Sequence, residues 1–443
     1  MKYVMLETPC GTIRGSRERN QRVFKGIRYA AAERWKYPEV VDAWDGIYDA
    51  LEYGKCCFQP RAFWDEALSE NNLGYTEFRR GEKYVYGDDC LLLNIYAPLE
   101  AEGAPVVVFI HGGGFTGGCA HEKYNRFPDW PKENIVTVTL NYRLGPFGFL
   151  CLEQAEQESG HTGNYGLYDQ AAALVWIRKN ISAFGGDPGN VTIMGQSAGA
   201  MSVQELCIAQ GLPRLFHKAV MLSGGGANPL SGGSACLDDQ KVFGEMVCRE
   251  LDCKNMDDLR KMDAMRILES CMRLRESWPE QKKVMRPVID HHLIRQSVVQ
   301  SMEEGSGIQI PYLMCSTSED LAAGELHRAC MDWSRSQAAR GNENCYVAYF
   351  SRQLPGDDNG AFHSSDLWYW LGTFENCWRP MTPWDRELSG IMIKYLAKFA
   401  RSGNPNAAGL PSWSPVHEKR GECMVLGDCK VGEQLLEDDG RVC

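Results

Sequence analysis

Gly195-Gln196-Ser197-Ala198-Gly199 follows the apolar run Val191 to Met194 and precedes a helix-like stretch. A strand that turns into a helix within two residues forces the central residue into strained backbone geometry, and glycines on either side remove the Cβ atoms that would clash. The serine hydroxyl is then held out at the tip of the turn. In a chain of 443 residues with 45 glycines a bare G-x-S-x-G match is a modest coincidence, and an ordinary glycine-lined turn shares its letters. The preceding strand and following helix are what single out Ser197 as a nucleophile.

Acyl transfer on such a serine needs a base, a group to orient that base, and donors for the oxyanion. His111-Gly112-Gly113-Gly114-Phe115 follows the strand-like Pro105 to Ile110, and its backbone N–H groups can approach a carbonyl oxygen without side-chain interference. Gly113 and Gly114, with the N–H of Ala198 behind the nucleophile, are the expected oxyanion donors. No Gly-Lys-Ser/Thr follows this loop, which argues against a phosphate-binding turn. In the order nucleophile, acid, histidine, the base is sought among His327, His363 and His417. His363 is favoured: it sits in a loop after the strand-like Cys345 to Phe350, whereas His327 falls on a helix too soon after the acid and His417 in a charged tail. The acid lies in Cys315-Ser316-Thr317-Ser318-Glu319-Asp320, where two adjacent carboxylates, Glu319 and Asp320, cannot both face one imidazole.

These groups must be carried by a scaffold, and the pattern between them supplies one. Short apolar runs at Pro105 to Ile110, Ile135 to Leu140, Val191 to Met194, Ala219 to Leu222, Ile310 to Met314 and Cys345 to Phe350 alternate with helical stretches such as Leu167 to Ile181 and Ala198 to Cys207. That alternation predicts an α/β fold with a mostly parallel sheet covered by helices on both faces. The start, Tyr3 to Gly26, reads as antiparallel strands joined near Cys10-Gly11. The clearest helix spans Pro383 to Arg401, with Thr382 as N-cap, proline at the first turn and Gly403 beyond the end. From roughly 235 to 307 the chain turns charged and helix-like, which reads as a helical cap inserted into one catalytic domain spanning 1–443. No internal repeat or linker divides it.

Composition narrows the partners. A formal charge of −11 and a pI near 5.4 argue against nucleic acid or an anionic membrane as a partner, since those need a basic face. No secretory leader or membrane-spanning run is seen, so a cytoplasmic location is expected. The 18 cysteines are scattered with no Cys-x-x-Cys pair, so no metal site is expected and most read as buried thiols.

Beyond these single motifs, the chain resembles the type B carboxylesterases, a family that includes cholinesterases and bacterial para-nitrobenzyl esterases. The resemblance runs in order through Phe24-Lys25-Gly26-Ile27-Arg28-Tyr29-Ala30, Gly87-Asp88-Asp89-Cys90-Leu91, the Gly112 to Phe115 loop, Asn164-Tyr165-Gly166-Leu167-Tyr168-Asp169-Gln170, Phe184-Gly185-Gly186-Asp187-Pro188-Gly189-Asn190 and Gly403-Asn404-Pro405. It implies the α/β-hydrolase fold and a carboxylic ester hydrolase without cofactor, acting on small-molecule esters through an acyl-enzyme. Position by position it implies Ser197 as nucleophile, His363 as base, and Gly113, Gly114 and Ala198 as oxyanion donors. The family acid precedes a glycine; aligning that pattern selects Asp320 over Glu319, although Leu321 stands where the glycine is usual. Gln196 replaces the common glutamate. Cys57 and Cys90 resemble a loop-closing disulfide pair of secreted relatives, which a cytosol would keep reduced. No tryptophan matches the choline-binding one, which disfavours a cholinesterase. The same triad would serve an amidase or peptidase, and the fold also occurs in noncatalytic binding proteins, which typically lack the nucleophile. Pocket walls are expected from the cap and from aromatics such as Phe115 and Trp368.

Overall fold

A computed structural model describes residues 2–64, 72–212, 214–228, 230, 235–279, 283–417, 422–428 and 430–436. Among them, β1 (Lys2–Thr8), β2 (Gly11–Glu18), β3 (Gln21–Arg28) and β4 (Leu92–Pro98) pair antiparallel. The parallel run is made by β5 (Ala104–Ile110), β6 (Val136–Leu140), β7 (Gly186–Gln196), β8 (Lys218–Leu222), β9 (Tyr312–Thr317), β10 (Cys345–Phe350) and β11 (Glu422–Leu426). An antiparallel β12 (Val431–Leu435) closes the far edge. The spatial order is β1-β2-β3-β4-β6-β5-β7-β8-β9-β10-β11-β12. This is the α/β-hydrolase fold.

The pleat explains why the central strands are apolar on both faces. Along β5, Val106, Val108 and Ile110 enter one core layer while Val107 and Phe109 enter the other. In β8, Ala219 and Met221 face the first layer, Val220 and Leu222 the second. Each fully buried Val, Leu or Phe contributes about 1.5–3 kcal/mol of transfer free energy, so a strand buried on both faces is held from both sides. The first layer is covered by α1 (Tyr165–Asn180) and α2 (Ala198–Ile208), the second by α9 (Pro383–Ser402), named here in chain order with α3 (Leu237–Glu250), α4 (Met256–Lys261), α5 (Ala264–Glu276), α6 (Val298–Glu304), α7 (Ala323–Ala339) and α8 (Leu367–Leu371).

The α9 signals act as read. Thr382 forms a reciprocal capping box with Asp385, and Gly403 takes φ +81° just past the helix end. Strand β7 runs longer than Val191 to Met194 at both ends, while β9 starts at Tyr312, after Pro311, and continues to Thr317. Cys57 and Cys90, whose bridging the sequence leaves open, are bridged: the pairing of Cys56–Cys57 with Tyr86–Gly87 brings their Cα atoms to 5.0 Å, within disulfide reach. No helix among the described residues is long and apolar enough to cross a membrane.

One buried ion pair ties the loop after β6 to α1. Arg143 donates to both carboxylate oxygens of Asp169, at 2.8 and 2.7 Å, and to the carbonyls of Glu33 and Lys36. Their side chains are 5% and 0% exposed. Asp169→Ala would strand a buried guanidinium and is expected to cost about 3–5 kcal/mol in urea unfolding, with much of it recovered when Arg143 is also replaced by Met. A loss below 1 kcal/mol would show that water or another acid takes over the guanidinium.

Candidate active site

Ser197 stands between β7 and α2, at the N-cap of the helix, with φ +55° and ψ −124°, a conformation that side chains rarely adopt. Backbone contacts impose it. A Cβ on Gly195 would lie 2.2 Å from the Gly199 carbonyl oxygen, and one on Gly199 would lie 2.1 Å from that of Ile110. The turn is therefore pressed against the end of β5, with the Ser197 N–H bonded to the Leu222 carbonyl at 2.8 Å. Both glycines of the motif are steric requirements.

His363 and Asp320 meet although β10 separates them in sequence. Asp320 follows β9, His363 follows β10, and the parallel bridge between Glu319 and Phe362 sets the two loops side by side. His363 Nδ1 lies 2.5 Å from Asp320 Oδ1. Asp320 also accepts from the Leu321 N–H and the Thr317 hydroxyl, while Glu319 is exposed at the cavity's edge. Burial pushes the Asp320 carboxyl up, but the hydrogen bond and charge of His363 outweigh it and hold the group below its ordinary value. An ionised carboxylate only accepts, so Nδ1 carries the proton and Nε2 keeps the lone pair a base needs. That nitrogen accepts from the Gln196 side-chain amide at 3.3 Å. Ser197 makes no hydrogen bond to His363 among the described residues, a looseness common before substrate binds.

The glycine loop stands opposite. Gly113 and Gly114 have φ +113° and +63°, and a Cβ on Gly113 would lie 2.0 Å from the Gly117 carbonyl oxygen. Among the described residues nothing accepts from the N–H groups of Gly113, Gly114 or Ala198. The Arg61 guanidinium packs against Gly113 and Gly117 and pairs with the buried Glu122. Burial pushes the Glu122 carboxyl up, yet Arg61 and Arg79 overrule it and hold the group below its ordinary value.

Ser197, Asp320, His363, Gly113 and Gly114 line one cavity of about 550 Å³. Its apolar wall comes from Phe78, Tyr124, Phe362 and Leu367. Phe115 and Trp368 are not that wall. Phe115 is 1% exposed and packs edge-on against Phe149; Trp368 is fully buried and donates to Glu77, itself paired with Arg379. Both are core because their polar or aromatic partners lie behind the site. A second cavity of about 550 Å³ shares Gly114 and is lined by Leu230, Arg275, Trp278 and Arg286 from the helical region after β8.

A family model described as the carboxylesterase family matches residues 2–327 and 326–439, and the chain belongs to that family. It is a carboxylic ester hydrolase. It is 29% identical over 499 residues to a para-nitrobenzyl esterase of Bacillus subtilis (strain 168), covering 99% of this chain and 97% of that one. Carboxylesterase 4A of Bos taurus is 28% identical, covering 99% and 94%. Among solved structures, an esterase from Clostridium hathewayi said to hydrolyse aliphatic aromatic polyesters superposes with a TM-score of 0.83 at 25% identity, covering 97% of this chain and 96% of that one. A PNB esterase gives 0.80 at 28%, covering 97% and 96%.

One group escaped the sequence reading. Asp366, three residues past His363, is fully buried and neither carboxylate oxygen has a hydrogen-bond partner among the described residues. Burial, then the charge of Asp320, pushes it from its ordinary 3.8 to about 7, with the charge of His363 pulling the other way. Only its position, in His363-Ser364-Ser365-Asp366, could have flagged it. Between those two values the folded protein keeps a proton that the unfolded chain has lost, so this group's contribution to stability falls as pH rises. Asp366→Asn, which cannot ionise, is expected to gain melting temperature over the parent chain progressively from pH 4 to 8. A constant difference across that range would remove Asp366 as the source.

Proposed function

We propose that the ester hydrolysis runs through an acyl-enzyme on Ser197, with His363 as general base and acid, Asp320 as its orienting carboxylate, and the N–H groups of Gly113, Gly114 and Ala198 as the oxyanion hole. The observation that carries this reading is the 2.5 Å contact between His363 Nδ1 and the buried Asp320, in the cavity that also holds Ser197 and the glycine loop. His363 Nε2 takes the serine proton as Oγ attacks the ester carbonyl. Asp320 stabilises the imidazolium that forms, and the proton then goes to the leaving alcohol. Water activated by the same nitrogen releases the acid. The Phe78, Tyr124, Phe362 and Leu367 wall suits an apolar ester group, and the whole described chain acts as one catalytic unit with α3 to α6 as its cap.

Ser197→Ala and His363→Ala are each expected to lower nitrophenyl ester turnover on the order of 10³-fold or more with the fold retained by circular dichroism. Intact-protein mass spectrometry after a fluorophosphonate should find one adduct, on the peptide bearing Ser197. Near-full activity of purified Ser197→Ala would end the assignment.

Gln196 gives a separate handle on the base. A carboxylate in its place, in contact with Nε2, would stabilise imidazolium, so the base stays protonated to higher pH. Gln196→Glu is expected to move the acid limb of kcat/KM upward by about one unit. An unmoved limb would mean that this side chain leaves His363 during turnover.

A further inference from the structure

Behind the glycine loop, the fold gathers soft donors that ester hydrolysis does not use. Cys56 lies in the two-residue strand Cys56–Cys57, and Cys119 and His121 follow the loop two residues apart. One donor atom from each falls within 4.8 Å of the others, and all three residues are buried. His121 Nε2 stands 3.7 Å from Cys56 Sγ. A tetrahedral zinc ion with bonds of about 2.3 Å to sulfur and 2.0–2.1 Å to nitrogen holds such a pair roughly 3.6 Å apart. The Cys56–His121 separation matches that figure.

The surroundings fix these donors. The His121 ring stacks on Tyr53 with centroids 4.8 Å apart and planes within 6°. Its carbonyl accepts from Arg126 at 2.7 Å. Tyr84 packs against the same imidazole at 5.6 Å, and its buried hydroxyl has no hydrogen-bond partner among the described residues, as expected of a group left for a bound water or ion.

We propose that Cys56, Cys119 and His121 bind one zinc-class divalent cation through two thiolates and a neutral imidazole. Binding releases two protons, one from each thiol, and the two thiolates neutralise the ion's charge. Sulfur and imidazole donors select zinc over magnesium or calcium. The ion cross-links the 55–59 segment to the exit of the glycine loop, where Gln59 already exchanges two hydrogen bonds of 2.9 Å with Gly118, and the Ala120 N–H donates to Asn141 at 2.8 Å. Glu122, the next residue, lines the reaction cavity, so the staple borders the catalytic loop without touching substrate. Spacing rules miss this site because Cys56 is far from the Cys119-x-His121 pair in sequence.

The test uses the full chain with its Cys57–Cys90 bridge intact, stripped with chelator and titrated anaerobically with cobalt(II). About one equivalent is expected to give a thiolate-to-cobalt charge-transfer band and tetrahedral d–d bands, both bleached by one equivalent of zinc. Zinc should also raise the melting temperature. His121→Gln and Cys119→Ser should lose the band; should Cys119→Ser fail to fold, the parent spectrum and His121→Gln decide. The proposal is overturned by an absent band in the parent, by an equal band in His121→Gln, or by a native Cys56–Cys119 disulfide with no metal uptake.

Discussion

The strained serine is the constraint from which the rest of the site follows. A residue at φ +55° between a strand and a helix persists only if its surroundings over-determine it. Here they are main-chain atoms: the Gly195–Gly199 approach, the Gly199–Ile110 approach, and Gly224, whose Cβ would lie 2.4 Å from the Ser197 carbonyl oxygen. Because backbone does this work, no side-chain rearrangement can relax the turn. The strain is offset by the two-sided burial of β5, β7 and β8, which cannot shift apart without exposing both core layers at once.

The sheet order turns that local turn into a meeting place. The chain leaves β5 to make β6 on one side and later β7 on the other, so the loops at the C-terminal ends of β5 and β7 diverge and open a crevice. The glycine loop and Ser197 occupy those two ends, in register as Ile110 opposite Gly195. Asp320 and His363 come from the strands beyond β8, β9 and β10, paired through Thr317 and Phe350 at their last residues. Residues 43 apart in sequence thus share one edge of the cavity.

Most of this frame could be read from the chain because it rests on local signals. Apolar runs marked the central strands, and proline, threonine and glycine punctuated α9. Strands β4, β11 and β12 were not read. β4 carries Asn94 in its middle, and the structure shows why a polar residue is tolerated there: it accepts from the Gly26 N–H and donates to the Thr139 hydroxyl and the Ala120 carbonyl. β12 is half-exposed and edge-like, so its alternation is weak. The pocket wall is illegible for a related reason. Phe115 and Trp368 look like wall residues by composition, but whether an aromatic faces a cavity or a core depends on partners such as Phe149 and Glu77 that only tertiary structure supplies.

The carboxyls show the same limit in electrostatic form. Glu319, Asp320 and Asp366 are alike in composition, and sequence could only say that adjacent acids cannot share one imidazole. Packing separates them into three states. Glu319 is exposed, Asp320 is buried but supplied with donors, and Asp366 is buried with no carboxylate hydrogen bond of good geometry among the described residues. Two anions beside one imidazole would repel each other in a medium too poor to screen them, so the one with hydrogen-bond donors keeps the charge and the other keeps a proton. In the proposed reaction that division places a single negative charge behind His363 when imidazolium forms, and leaves Asp366 neutral at moderately acid pH. As pH rises past about 7, Asp366 adds a second charge near the imidazole. The pH response of the site then includes, beside the base itself, a residue that on this reading need not touch substrate.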